Sequence, residues 1–157
     1  MDIETRNKIL TVVLGILIIG LTYWLYDSLV TPYQEVRERE AMTEQVRFRL
    51  LDTKDAIIQY QTRHGNFPPT EGGLDSLVNF LKTDSMMIAM GDTLFGRTFT
   101  TYNPDSLIYS PRPPHPKFEY TLNDTLRPPI YLLEDPGSDD AIGSLERTTM
   151  RNAPNWN

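Results

Sequence analysis

The sequence predicts an α+β protein: an N-terminal transmembrane helix, then a long amphipathic helix packed on a small antiparallel sheet. Three observations predict it. Residues 9–26, ILTVVLGILIIGLTYWLY, carry no charge over 18 positions. Residues 42–64 place apolar side chains at spacings of four and three, the period of one helix face. After Asp84 the period changes to short runs broken by Gly, Asn-Asp and Pro, which is how small strands and turns read.

Residues 1–8 are a polar lead and residues 9–30 the membrane helix. At about 1.5 Å per residue the uncharged run spans roughly 27 Å, against about 30 Å for the hydrocarbon core of a bilayer. Tyr23, Trp24 and Tyr26 gather at one end, as an interfacial aromatic belt does. A core helix of a soluble protein would show a polar face, and a signal peptide would end in small residues. The run does neither, so the expectation is a retained single-pass anchor in the lipid bilayer. Thr31-Pro32 is expected to kink or break the helix, because proline has no amide donor.

Residues 31–64 read as the amphipathic helix, and a stalk of roughly 30 residues would reach about 45 Å. Met42, Val46, Leu50, Thr53, Ile57, Tyr60 and His64 form its stripe, and Leu51 and Ile58 widen it. The stripe is expected to pack on the rest of its own domain; the alternative is that its first half packs on a partner helix. Gly65 fits the helix C-cap and Pro68-Pro69 forbid continuation. Residues 65–133 form the small α+β domain. A turn at 70–73 leads to a short amphipathic helix at 74–81. Candidate strands are 86–90, 98–102, 106–109, 117–122 and 130–133, and Phe118-Glu119-Tyr120-Thr121-Leu122 alternates most clearly. Residues 134–157 read as an irregular tail.

The chain carries a net charge of −6, and residues 31–157 alone hold 13 basic against 18 acidic residues. With no long basic run, nucleic acid is not an expected partner. The absence of cysteine rules out disulfides, thiolate metal sites and cysteine nucleophiles. His64 and His115 lack a second ligand at helical spacing, and no phosphate loop or nucleophile elbow is present. The expectation is a non-enzyme with no small-molecule substrate. Glu134, Asp135, Asp139 and Asp140 lie in one Gly- and Ser-containing loop and are the candidate ligands of a structural calcium ion; the bland reading is a solvated turn. Arg112, Pro113 and Pro114 lie in a proline-rich run, 111–116, that would suit polyproline II and a partner's aromatic groove. Trp156, in the polar tail, is a candidate anchor for a partner's pocket, and Tyr23 and Trp24 are candidate partner-binding residues at the end of the membrane helix.

Residues 46–81 resemble the major pseudopilins of type II secretion and, more widely, type IV pilin-like proteins. The resemblance is carried by Ala56-Ile57-Ile58-Gln59-Tyr60, by Gly65-Asn66-Phe67-Pro68, and by Thr70-Glu71-Gly72-Gly73-Leu74-Asp75-Ser76-Leu77. In that family a long N-terminal helix ends in a Gly-x-aromatic-Pro turn followed by a Thr-Glu-x-Gly-Leu segment. Gly65, Phe67, Pro68, Gly73 and Leu74 are thereby the expected fold motif. Segments 49–60 and 74–86 are also similar to single-pass envelope proteins of Bacteroidota. The prepilin cleavage pattern is absent: no glycine precedes Gly15, and Glu4 lies before the apolar run. A permanent anchor is expected rather than a processed one.

The resemblance implies a non-catalytic subunit of an envelope machine, secretion- or pilus-like, docking on other membrane-complex subunits from the bacterial inner membrane. The alternative is an accessory subunit bracing another integral membrane complex, respiratory or photosynthetic. Calcium in a C-terminal loop is also a property of some pseudopilins. The resemblance implies a periplasmic C-terminal domain, whereas Arg37, Arg39, Arg47 and Arg49 after the span, read literally, favour the cytoplasm. The expectation follows the resemblance, since a large domain translocates despite nearby charge.

Overall fold

The computed structural model describes residues 3–97 and 102–156. The chain divides into two compact units, Met1–Ala41 and Met42–Asn157. Helix α1, Ile3–His64, begins in the first and ends in the second.

The first unit is helical wherever it is described. Its side chains lie almost entirely in the open, with Ile16, Leu17, Ile18 and Ile19 all exposed. An 18-residue window of α1 has a mean hydropathy of 2.2 and none of it is buried, so the helix is long and apolar enough to cross a membrane. The expected break at Pro32 does not occur: the proline lies inside α1. A proline deletes a single amide donor, and the turns on either side keep their own hydrogen bonds.

In the second unit the stripe works as its spacing requires. Val46, Leu50, Thr53 and Ile57 are buried, and Tyr60 packs on the core from its edge. Thr53 earns its place among apolar neighbours by donating its hydroxyl to the Arg49 and Leu107 carbonyls, each at 2.8 Å. Gly65 closes α1 in the left-handed region, at φ 81, with its amide donating to the Gln61 carbonyl. Phe67 then turns into the core against Tyr131, and the Tyr120 hydroxyl donates to the Pro68 carbonyl at 3.0 Å. The turn delivers α2, Gly73–Thr83, whose Leu74, Leu77, Phe80 and Leu81 face the same core. Gly73 sits so close to Pro68 that a β-carbon there would lie 3.2 Å from the proline's own.

The segment expected as a strand at 86–90 is instead helix α3, Ser85–Leu94. Asp84 decides this: its carboxylate accepts from the Met86 and Met87 amides at 2.9 and 3.1 Å, the bonds that start a helix. The expected strand at 98–102 falls on residues 98–101, outside the described residues. Residues 106–109 form turns rather than a strand, with one isolated bridge from Tyr109 to Lys117.

The sheet is an antiparallel meander of β1 (Glu119–Asn123), β2 (Ile130–Glu134) and β3 (Ala141–Gly143). Tyr120 opposite Leu133, and Leu133 opposite Ile142, form the core-facing row. Glu119 opposite Glu134, and Glu134 opposite Ala141, form the outer row. Strand β3 lies in the segment expected to be irregular. The segment after it returns along its free edge: the Gly143 amide donates to Ala153, the Asn155 amide donates to Ala141, and Ile142 bridges Pro154. Gly143, at φ 93, lies so near the Tyr131 carbonyl that no side chain fits there.

Candidate functional site

The sequence-selected residues fall into three places. Tyr23 and Trp24 are exposed on the apolar part of α1. Gly65, Phe67, Pro68, Gly73 and Leu74 build the reversal between α1 and α2 described above. The remainder meet around the end of the sheet, where the turn at 135–140 joins β2 to β3.

That turn is held by the Asp135 amide donating to the Asp140 carbonyl at 3.1 Å. Asp135 and Asp140 are buried, while Glu134 is half-buried and Asp139 exposed. The calcium reading requires these carboxylates to converge on a point, and the two buried ones turn to other partners. Asp140 pairs with Arg47 at 3.0 Å, and Asp135 lies 4.0 Å from the Arg112 guanidinium and accepts from the Ser138 hydroxyl at 2.7 Å. Among the described residues no three His, Cys, Asp or Glu side chains are grouped as metal ligands. The inner pair of acids faces guanidinium groups; the outer ones face solvent.

The proline-rich run is a turn rather than polyproline II. The His115 amide donates to the Arg112 carbonyl at 2.7 Å, the Pro113–Pro114 peptide is cis, and His115 has φ 62. Pro113 and Pro114 are exposed at its tip, while the Arg112 side chain folds back over Gly137 toward Asp135. Trp156 is packed within its own domain: it is half-buried against the core, with the Arg47 guanidinium 5.3 Å from its ring centroid. An indole so engaged is not a free anchor for a partner's pocket. Arg47 thus ties the tail to the loop through Trp156 and Asp140 together.

Two polar features escaped the sequence reading. The first is a charge cluster on α1. Asp52 is buried and receives Arg97 at 2.9 Å; the same Arg97 reaches Asp55 at 2.6 Å. Burial pushes the Asp52 carboxyl above its ordinary range, against the opposing pull of Arg97. Burial likewise lowers Arg49, whose side chain donates to the Ser106 carbonyl. The signal for Asp52 was its place beside Thr53 on the stripe, where a charge needs a partner. Arg97 carried no signal, because nothing in the local pattern links it to a residue 45 positions earlier.

The second is a pair of surface grooves. One, of about 530 Å³, is lined by Gln45, Arg49, Asn103, Ser106, Tyr109 and His115 among others. Its two most basic groups point at backbone, since His115 Nδ1 lies 3.0 Å from the Ser110 carbonyl and Arg49 engages Ser106. The other, of about 420 Å³, runs over the outer face of the sheet end, with Glu119, Glu134, Asp135, Asp139 and Asp140 in its wall. Burial also raises the tyrosines: Tyr102 is pushed up to about 12, with Asp92 adding to the effect, and Tyr120 and Tyr131 are raised too.

Comparison with protein-family models, with curated proteins and with solved structures finds no match to this chain.

Proposed function

We infer that this chain is a non-catalytic single-pass subunit of a membrane complex, anchored by the first part of α1 and docking on partner proteins through its α+β domain. The observation that carries this is the apolar stretch of α1, of mean hydropathy 2.2 with no buried residue. Such a surface is stable in lipid and not in water. The second unit has a core of its own, and ion pairs such as Arg47–Asp140 and Arg97–Asp52 tie its segments together. The resemblance of residues 46–81 to pseudopilins supports placing the subunit in a secretion- or pilus-like machine of the bacterial inner membrane, with the domain in the periplasm.

The lack of any acidic residue inside the uncharged run supports a second reading, an accessory subunit that braces a respiratory or photosynthetic complex. Purification from native membranes in mild detergent, followed by mass spectrometry, separates the two. Secretion or motility components are expected; cofactor-bearing partners establish the second reading, and a protein that purifies alone defeats both. Sidedness is tested by Asp124→Cys, an exposed position in a chain without cysteine. Labelling by a membrane-impermeant thiol reagent in cells with a permeabilised outer membrane is expected. Protection until the inner membrane is lysed places the domain in the cytoplasm.

A further inference from the structure

We propose that the groove at the sheet end receives arginine side chains of a partner polypeptide. The inference rests on the docking reading above and gives that partner its chemistry.

Three observations carry it. First, Glu119 and Glu134 are direct cross-strand partners on the outer face of β1 and β2. Like charges placed opposite one another destabilise a sheet. Neither glutamate has an ion pair or side-chain hydrogen bond among the described residues, so nothing among those residues offsets the repulsion. Asp139 adds an exposed carboxylate in the same wall.

Second, Asp135 lines the same groove with its side chain fully buried, and its Oδ1 accepts no hydrogen bond. A buried carboxylate oxygen without a donor is costly, and a donor entering the groove relieves that cost. Arg112 does not supply it, standing 4.0 Å from Oδ2 with its own Nε unpartnered. Of the five carboxylates in this wall, only Asp140 and Asp135 have an arginine within 4.0 Å among the described residues, Arg47 and Arg112.

Third, among the described residues these carboxylates do not group as ligands for one ion. A point cation therefore gains little. A guanidinium has five donors in a planar fork and engages separated carboxylates pairwise, which a compact ammonium does less well.

The test uses the full-length protein in detergent micelles at low ionic strength, titrated with N-acetylated, amidated tetra-arginine. Saturable binding is expected, weakening at least about tenfold in Glu119→Gln/Glu134→Gln and fading with added salt. The control Asp124→Asn/Glu146→Gln removes the same charge elsewhere on the surface and is expected to bind as wild type does. Without peptide, the Glu119→Gln/Glu134→Gln protein is expected to melt higher than wild type, which also shows that it is folded. Absence of binding overturns the proposal, as does equal weakening in the control. Calcium chloride that stabilises wild type at millimolar concentration and displaces the peptide overturns it in favour of a metal site. Subunits that still co-purify with Glu119→Gln/Glu134→Gln overturn the groove and leave docking intact. If nothing co-purifies with wild type, docking itself fails, and the titration still decides the groove.

Discussion

Asp52 shows most directly how one side chain's surroundings set its chemistry. It sits one position from Thr53 on the buried side of α1, held by Arg97, whose other contact is Asp55. Removal from water favours the neutral acid, and Arg97 only partly offsets this. The folded chain therefore holds the proton to a higher pH than the unfolded chain, whose carboxyl titrates near 3.8. Below that value both states are protonated. Through the interval up to the raised value only the folded state is, so the stability Asp52 contributes declines as pH rises, and then levels off. The measurable consequence is the melting-temperature difference between wild type and Asp52→Asn. It should move in the variant's favour as pH rises from below 3.8; a constant difference removes the argument.

Among the elements, α3 is the one whose type hangs on a single cap. Its residues SMMIAM suit either a strand or a helix, and Met86, Ile88 and Met90 remain exposed in the helix that forms. Little burial holds it, so the two hydrogen bonds from the Met86 and Met87 amides to Asp84 matter more than they would in a core helix. Asp84 also lies 3.8 Å from Arg63 at the end of α1. Asp84→Ala is expected to lower unfolding free energy by about 1 kcal/mol and to speed amide exchange across Ser85–Leu94. Asp84→Asn, which keeps the acceptor, should recover most of both. Equal losses in the two variants would assign the effect to the Arg63 pair instead. Strand β3 is a contrasting case. Three residues cannot stand as a strand alone, and Ala141–Gly143 is held on one side by β2 and on the other by the returning chain at 153–155.

At the scale of the whole molecule, the two units treat apolar side chains in opposite ways. The first unit exposes Leu, Ile and Val along its helix, whereas the second buries the same residue types in a core bounded by α1, α2 and the sheet. An arginine near the centre of a membrane helix costs about 2.5–3.5 kcal/mol on insertion scales. Leu17→Arg combined with Ile18→Arg should therefore shift the protein out of the carbonate-resistant membrane fraction, while Thr125→Arg, on an exposed loop, should not. A double variant that stays fully membrane-embedded would mean that some other surface holds the chain in lipid.

The sequence alone determined whatever depends on neighbours along the chain. An uncharged run of 18 residues fixed a helix fit for a bilayer, the four-and-three spacing fixed which face of α1 is buried, and Gly65 with Pro68 fixed where α1 stops. The Phe118–Leu122 alternation likewise gave the face of β1 that turns inward. Tertiary structure alone decided what depends on residues far apart. Arg97 meets Asp52, Arg47 joins Trp156 to Asp140, Arg112 is drawn from its proline-rich turn toward Asp135, and Glu119 is set against Glu134. Local periodicity follows from the geometry of one helix or one strand. These pairings follow from how separate segments share a single small core, and no spacing along the chain encodes that.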